Sequence, residues 1–203
     1  SLACERVRDQ FGLDWAGFNQ ALAGTPPGNH GGILLPWFEA EIVPRVNQPG
    51  IHRFDLNEQE AAANPEVLRD PDACRDCRAI VEAQMMSMRL HSQWMKVEPK
   101  SIYATGGAST NTAILQVMAD VMNCPVRRIE VAKSTVLGAA LRAAHGWLLH
   151  TGGKPDWAEV VAGLTDPVPH SEIQPNPKAA SVYDKLIEKY ARCEREVLRE
   201  LAR

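Results

Sequence analysis

A run of twelve residues, S-I-Y-A-T-G-G-A-S-T-N-T at 101–112, constrains the fold of this chain more than any other stretch. Its apolar start, Ile102–Ala104, predicts a short buried strand, and Gly106 with Gly107 predicts an abrupt turn after it. The residues from Thr112 onward place apolar side chains at helical spacing and predict an amphipathic helix. A strand, a glycine turn and a helix in immediate succession are typical of a layered α/β domain.

The same glycine turn is a candidate ligand site. Glycines let a ligand approach the backbone closely, and the start of a helix presents unpaired N–H groups that suit a phosphate or a polar ring edge. Ser109, Thr110 and Asn111 add oxygens that can cap the helix or bind a ligand. The alternative is a plain strand-to-helix turn with a cap, and local chemistry alone does not separate the two interpretations.

Composition limits the class of protein. The 203 residues are 45% hydrophobic and 23% charged, which is ordinary for a globular chain with one sizeable core. The net charge of -3 provides no general attraction to nucleic acid or to an anionic membrane. No apolar run approaches the roughly 20 residues that span a bilayer. The first residues carry no initiator Met and no signal-peptide pattern, so we expect a helix cut from a longer chain.

Five scattered cysteines predict free thiols in a reducing, cytoplasmic compartment. Two of them, Cys74 and Cys77, form a C-x-x-C pattern. Zinc would need a second pair of ligands nearby, and a redox motif would follow a strand, whereas this pattern lies inside a predicted helix. We therefore interpret the pair as structural.

The first part of the chain predicts two helices within residues 2–23, with Asp14 capping the second. Residues 25–32, T-P-P-G-N-H-G-G, predict a turn-rich loop that lies near a ligand or enters a hairpin. Strands are predicted at 32–38, 42–46 and 52–54, and Pro36 and Pro44 favour edge or bulged positions for the first two. Residues 57–65 predict a polar surface excursion.

A long helix is predicted to follow, with Asp70 as its cap and Pro71 in its first turn. Its apolar stripe is interpreted as core, and His91 as a structural or surface residue. The stripe consists of Cys77, Val81, Met85, Met88 and Met95.

After the amphipathic helix that begins at Thr112, residues 128–131 predict another strand and residues 135–147 another helix. Small side chains on this second helix predict that it packs closely against the sheet or against the amphipathic helix. Residues 166–177 predict an extended strap, after which Asn176 and Pro177 begin the last helix. Its predicted stripe is Val182, Leu186, Tyr190, Val197 and Leu201.

Six runs, taken together and in order, resemble the C-terminal domain of the FGGY family of carbohydrate kinases. No single run is sufficient, and within the family the set looks most like the xylulose kinases. The runs are D-W-A-G-F-N-Q-A-L with T-P-P-G-N-H-G-G at 14–32, G-I-H-R-F at 50–54, R-A-I-V-E-A-Q-M at 78–85, A-T-G-G-A-S-T-N-T-A-I-L-Q-V-M-A-D-V at 104–121 and S-T-V-L-G-A-A-L-R-A-A-H-G at 134–146.

The resemblance implies an α/β, ribonuclease H-like fold shared with actin and Hsp70, with a mixed sheet flanked by helices. It implies that residues 1–203 are one nucleotide-binding domain of a two-domain kinase. By position it places Gly106, Gly107, Ala108 and Asn111 at the adenosine end of ATP. Asn111 could both donate to and accept from the nucleotide, whereas Ser109 is interpreted as the helix cap.

The resemblance also matches Trp15 to a family aromatic near the nucleotide, where stacking or ribose packing competes with a core role. The N-terminal domain, which in the family supplies the sugar contacts, the phosphate turn and the catalytic base, is absent from this chain. We therefore nominate no catalytic residue, although Asp55, Asp120 and Asp166 are available. Asp120 is interpreted as a salt-bridging or capping carboxylate.

The implied reaction transfers the γ-phosphoryl group of ATP, with Mg²⁺, to D-xylulose and yields D-xylulose 5-phosphate. This chain alone is expected to bind nucleotide weakly and to be inactive. Two alternatives stay open. One is another kinase of the family, acting on glycerol, gluconate or ribulose. The other is a non-enzymatic nucleotide-binding module of the actin or Hsp70 type.

Overall fold

Helices packed on two small sheets make up the computed structural model, which describes residues 2–54, 60–63, 72–130 and 133–202. The helices are α1 (Leu2–Gln10), α2 (Trp15–Ala23), α3 (Ala73–Ser92), α4 (Thr112–Met122), α5 (Ser134–His150), α6 (Trp157–Val161) and α7 (Pro177–Leu201). The strands are β1 (Ile33–Trp37), β2 (Gly50–Phe54), β3 (Glu60–Ala63), β4 (Ile102–Ala104) and β5 (Val126–Arg128).

The central element is α3, which packs against α1, α2, α4, α7 and β1. Asp72 caps it, because the Asp72 carboxylate accepts hydrogen bonds from the backbone N–H groups of Cys74 and Arg75 at 3.0 and 3.3 Å. The cap and first-turn residue predicted from the sequence, Asp70 and Pro71, lie outside the described residues. The central position of α3 lets one helix join most of the core.

The predicted apolar stripe of α3 is confirmed only in its first half. Cys77, Val81 and Met85 are buried in the main core. Met88 and Met95 are 48% and 50% exposed, so their assignment to the core is wrong. The helix stops at Ser92, so Met95 lies beyond it.

His91 near the end of α3 contacts a carboxylate of Glu194 on α7, with 3.1 Å between its Nε2 atom and the nearer oxygen. This contact joins the two longest helices at one edge of the core. The structural interpretation of His91 is confirmed.

The first sheet is antiparallel, with strand order β1-β2-β3. β1 is an edge strand, as Pro36 predicted, and the strand predicted at 52–54 is confirmed as part of β2. A strand at 42–46 is wrong, since Glu41 and Val46 exchange two backbone hydrogen bonds of 2.9 Å and close a tight turn. Within the predicted surface excursion at 57–65, residues 60–63 form β3 and pair with β2. The other residues of the excursion lie outside the described residues.

The turn-rich loop at 25–32 does not line the cleft that opens beside the turn between β4 and α4. Instead, the backbone N–H of Gly28 donates a 2.8 Å hydrogen bond to the buried carboxylate of Glu82 on α3. Gly28 has a φ of +84°, and a Cβ there would lie 2.5 Å from Val182 on α7. Both observations explain why glycine occupies this position.

The second sheet consists of β4 and β5, which run parallel. The strand predicted at 128–131 begins earlier, at Val126, and ends at Arg128, while Val131 is outside the described residues. The predicted strap at 166–177 is confirmed in part, since Ile173 forms an antiparallel bridge with Val126, whereas a turn interrupts the strap at residues 169–170, where His170 has a φ of +58°. α4 covers this sheet through Leu115 and Ala119.

The predicted packing of α5 is wrong. Its small-residue face is exposed, and α5 buries only Leu141 and His145 among its described residues, on the side that packs with α6. The His145 ring stacks on Trp157 with 4.1 Å between the ring centroids. The exposed small residues are Gly138, Ala139, Ala140, Ala143 and Ala144.

The last helix begins as predicted, with Pro177 in its first turn and the Asn176 side chain accepting from the N–H of Lys178. Asp120 supports this start, because its carboxylate accepts a 2.7 Å hydrogen bond from the backbone N–H of Asn176. The capping interpretation of Asp120 is confirmed.

The predicted stripe on α7 is buried in its middle, at Leu186, Tyr190 and Val197. Val182 and Leu201 at its ends are 40% and 37% exposed. Among the described helices, none combines the length and the apolar character that crossing a bilayer requires.

Candidate functional site

A cleft of about 570 Å³ opens between the first two helices and the turn that connects β4 to α4. It contains residues that are far apart in the sequence, from α1 and α2 on one side and from the turn on the other. Four of the five predicted site residues line it. The lining residues are Leu2, Glu5, Trp15, Asn19, Gly107, Ala108, Thr110, Asn111 and Ile114.

The two glycines of the turn between β4 and α4 differ in backbone conformation and in position relative to the cleft. Gly106 has a φ of +85°, a conformation that residues with a side chain rarely adopt. At Gly107 a Cβ would meet no atom within 4 Å, so a side chain there would extend into open space beside the cleft. Gly106 shapes the turn without lining the cleft, and Gly107 keeps the cleft clear.

The two hydroxyl side chains of the turn are used within it. Ser109 Oγ donates to the carbonyl oxygen of Gly106 at 2.7 Å, and Thr110 Oγ1 donates to that of Gly107 at 3.0 Å. The prediction that Ser109 caps the helix is wrong. A 3₁₀ turn at Gly107–Thr110 delays the start of α4 to Thr112, and the cap is therefore Asn111.

Asn111 combines the helix cap with a contact across the cleft. Its Oδ1 atom accepts from the backbone N–H groups of Ala113 and Ile114 at 3.1 and 3.2 Å. Its Nδ2 atom donates to Oδ1 of Asn19 at 2.7 Å. Since the capping oxygen is engaged twice, the group that Asn111 offers a ligand in this conformation is the second hydrogen of its amide nitrogen. The expectation that Asn111 also accepts from the nucleotide stays a prediction.

Trp15 lies at the surface of the cleft and is 37% exposed. The guanidinium carbon of Arg8 lies 4.6 Å from the Trp15 ring centroid, and the buried Phe18 ring meets it edge-on at 5.4 Å. Asp14 caps α2 by accepting from Gly17 N–H at 2.7 Å, which fixes the first turn that carries Trp15. This geometry supports the ligand-facing interpretation of Trp15 over the core one.

Two of the lining residues that were not predicted, Asn19 and Glu5, carry polar side chains from α2 and α1. Asn19 follows Trp15 by four positions, so the two side chains are neighbours on α2, and the adjacent Phe18 and Leu22 are buried in the core. That spacing was available in the sequence and could have identified Asn19. Glu5 of α1 adds a carboxylate to the lining, and no local motif distinguishes it from other charged residues of a helix.

The Cys74 and Cys77 pair lies in α3, and both thiols are free. Burial, followed by the neighbouring Asp76 carboxylate, raises the pKa of Cys77 to about 12 and keeps the thiol protonated. In the described ranges, no group of three or more His, Cys, Asp or Glu residues could hold a metal ion. Cys77 belongs to the main core and Cys74 packs against it, as the structural interpretation of the pair expects.

Comparison with known proteins identifies the chain's relatives. Residues 3–147 match the model described as FGGY family of carbohydrate kinases, C-terminal domain. The chain is 38% identical to the xylulose kinase of Rattus norvegicus over 202 residues, which cover 98% of this chain and 35% of that protein. It thus spans about a third of the length of the curated relatives it matches first.

Solved structures give the same fold. A ligand-bound xylulose kinase from Lactobacillus acidophilus matches with a TM-score of 0.76 at 20% identity, over 97% of this chain and 38% of that one. A gluconate kinase from the same organism matches with a TM-score of 0.74 at 20% identity, over the same shares of the two chains. The predicted ribonuclease H-like fold of the actin, Hsp70 and sugar kinase type is confirmed.

Proposed function

The chain belongs to the FGGY family of carbohydrate kinases, and from this premise we propose that it is the ATP-binding domain of a kinase that phosphorylates D-xylulose. The proposed ligand of the cleft is the adenosine end of ATP. The domain would supply one wall of a site whose sugar-binding part lies outside residues 1–203.

The observation that carries this proposal is the meeting of Trp15, Gly107 and Asn111 in one cleft. An exposed aromatic ring offers a stacking surface for a purine. The open space at Gly107 admits a ribose or a base against the backbone. The remaining amide hydrogen of Asn111 can donate to a ring nitrogen or a ribose oxygen. Together these groups provide a flat apolar contact, a clear backbone and a hydrogen-bond donor.

In the proposed reaction, a hydroxyl oxygen of the sugar attacks the γ-phosphorus of ATP and the bond to the β–γ bridging oxygen breaks. ADP leaves with that oxygen, and a base takes the proton of the hydroxyl. Such transfers depend mainly on positioning and on neutralising phosphate charge, which Mg²⁺ supplies when bound. The residues described here contribute the positioning of the adenosine end, and we assign the base to the part of the kinase outside this chain.

The choice of D-xylulose rests on overall similarity, because rat and mouse relatives that match 98% of the chain at 37–38% identity are named xylulose kinases. A specific observation favours gluconate as the second candidate, since a gluconate kinase structure matches almost as well as the xylulose kinase structure. The full-length protein should be assayed with ATP and a panel of D-xylulose, gluconate, glycerol and ribulose. Fastest phosphorylation of a sugar other than D-xylulose would replace the substrate and leave the nucleotide site intact.

Calorimetric titration of the 203-residue chain with ADP tests the nucleotide site directly. Gly107→Leu should fill the open space and weaken ADP binding about tenfold or more, or about 1.4 kcal/mol. The matched control is Gly146→Leu, because Gly146 on α5 is also an exposed glycine whose Cβ would meet no atom within 4 Å. Equal ADP affinity in the two variants would exclude this cleft as the nucleotide site.

The 203-residue chain alone should not transfer phosphate. A coupled assay that detects ADP, with ATP and D-xylulose as substrates, should give turnover with the full-length protein and none with the chain. Clear turnover by the chain would show that the catalytic base and sugar contacts lie within residues 1–203.

A further inference from the structure

A hydrogen bond between two asparagines crosses the cleft from helix α2 to the start of α4. Asn111 Nδ2 donates to Asn19 Oδ1 at 2.7 Å, although the two residues are 92 positions apart. Both side chains line the cleft and both are half-buried. The contact therefore lies within the proposed nucleotide site and joins its two walls.

The hydrogen-bonding capacity of Asn111 makes this contact directional. The Asn111 oxygen accepts from Ala113 N–H and Ile114 N–H, so the amide oxygen must face the helix. The amide nitrogen has two hydrogens, and Asn19 accepts one of them. The plane of the amide is then fixed at both ends, and its second N–H has one direction available.

Asn19 is itself held firmly enough to act as a support. It lies in the second turn of α2, whose first turn is capped by Asp14, and the adjacent side chains of Phe18 and Leu22 are buried in the core. α2 packs closely on α3, the central helix of the core. A group fixed on a packed helix orients its neighbour more accurately than a group on a loop does.

We propose that Asn19 is a positioning residue of the nucleotide site, which accepts one amide hydrogen of Asn111 and thereby directs the other at an acceptor atom of the adenosine moiety. This inference rests on the proposed function and adds to it a second residue, one that acts through Asn111. The side-chain oxygen of Asn19 carries this role by accepting from Asn111, and the amide nitrogen of Asn19 is not needed for it.

Four single variants and one double variant of the full-length protein test this role by titration with ADP and, separately, with adenosine. Asn19→Leu removes the acceptor and should weaken binding of both ligands about tenfold. Asn19→Ala also removes the acceptor, and its smaller side chain excludes a steric effect of leucine as the cause. Asn19→Asp keeps the acceptor in place and should bind adenosine within about twofold of the wild type. Adenosine is included because it lacks the phosphates that a new carboxylate would repel.

The fourth variant, Asn111→Ser, keeps a capping oxygen and loses the amide. If Asn19 acts through Asn111, adding Asn19→Leu to Asn111→Ser should weaken binding by less than about twofold further. A merely structural role predicts instead that the two effects add and that melting temperature falls in parallel with affinity.

Three results would overturn the positioning role. These are wild-type affinity in Asn19→Leu and Asn19→Ala, equal weakening of adenosine binding by Asn19→Asp and Asn19→Leu, and additive effects in the double variant. Failure of the proposed function gives a different result: the wild-type protein itself then binds neither ADP nor adenosine. That result would also rule out the positioning role.

Discussion

The hydroxyl of Tyr183 on α7 donates a 2.6 Å hydrogen bond to Oε1 of Glu82 on α3, inside the core. The same oxygen accepts from Arg78 Nε at 2.7 Å and from Gly28 N–H at 2.8 Å. Burial raises the pKa of Glu82, and the hydrogen bonds from Tyr183, Arg78 and Gly28 oppose that rise. One carboxylate oxygen thus ties together two long helices and the loop at 25–32.

Tyr183→Phe should destabilise the fold by about 1–3 kcal/mol, because it removes a hydrogen bond from a buried carboxylate and leaves the ring in place. Urea unfolding measures this loss. Tyr103→Phe is the control, since Tyr103 is 50% exposed and its change should cost less than about 0.5 kcal/mol. Equal losses in the two variants would mean that the buried hydroxyl contributes nothing specific.

Trp15→Ala should weaken ADP binding by about 1–3 kcal/mol, the range found for aromatic side chains that stack on a base. Trp147→Ala is the matched control, because Trp147 is 66% exposed on α5 and does not line the cleft. Calorimetry with ADP separates the two variants. If Trp15→Ala bound ADP like the wild type, the purine would lie elsewhere in the cleft.

Cys77 should make the fold sensitive to alkaline pH. Its pKa is raised from 9.0 to about 12 in the folded protein, so its stabilising contribution is complete below about pH 9 and is lost as pH rises toward 12. Between about pH 8 and pH 10 the unfolded thiol ionises and the folded one does not, which costs about 1.4 kcal/mol.

Urea unfolding of Cys77→Ala and the wild type at these two pH values checks this prediction. The stability difference between them should shrink by about 1.4 kcal/mol from about pH 8 to pH 10, because alanine does not titrate. Val81→Ala, at another fully buried position of α3, should show a pH-independent difference. A pH-independent difference for Cys77→Ala as well would contradict the raised pKa.

Features that depend on neighbouring residues were predicted well from the sequence. Asp14 and Asn176 cap their helices as expected, and β4, the glycine turn and α4 follow one another as the run at 101–112 indicated. Caps and turns succeed because the interacting atoms are only two or three residues apart. The cap of α4 shows the limit of this reasoning. Ser109, Thr110 and Asn111 were all chemically suitable, and the 3₁₀ turn decided among them.

Features that depend on distant partners were not predictable in the same way. The small residues of α5 were expected to pack closely, yet helical spacing does not say which element faces them, and they are exposed here. The spacing from Trp15 could have identified Asn19 as a neighbour of the site, but its hydrogen bond to Asn111 joins residues 92 positions apart, and no local motif reports that contact. The candidate site was therefore predicted on the side of the glycine turn and only in part on the side of α2.

Asn111 should separate into two measurable roles, because its oxygen caps α4 and its nitrogen faces the cleft. Asn111→Ala removes both and should cost about 1 kcal/mol of stability in urea unfolding. Asn111→Ser keeps a capping oxygen and should lower the free energy of unfolding by only about 0.3 kcal/mol, since serine and asparagine cap about equally well. Both variants should nevertheless lose ADP affinity to a similar extent, since neither has an amide hydrogen to donate.

Thr110→Ser is the control for both measurements. Thr110 lines the cleft, and serine keeps the hydroxyl that donates to the Gly107 carbonyl oxygen, so neither stability nor ADP affinity should change. If Asn111→Ser bound ADP as tightly as the wild type while Asn111→Ala did not, affinity would follow the helix cap, and the amide would have no direct part in holding the nucleotide.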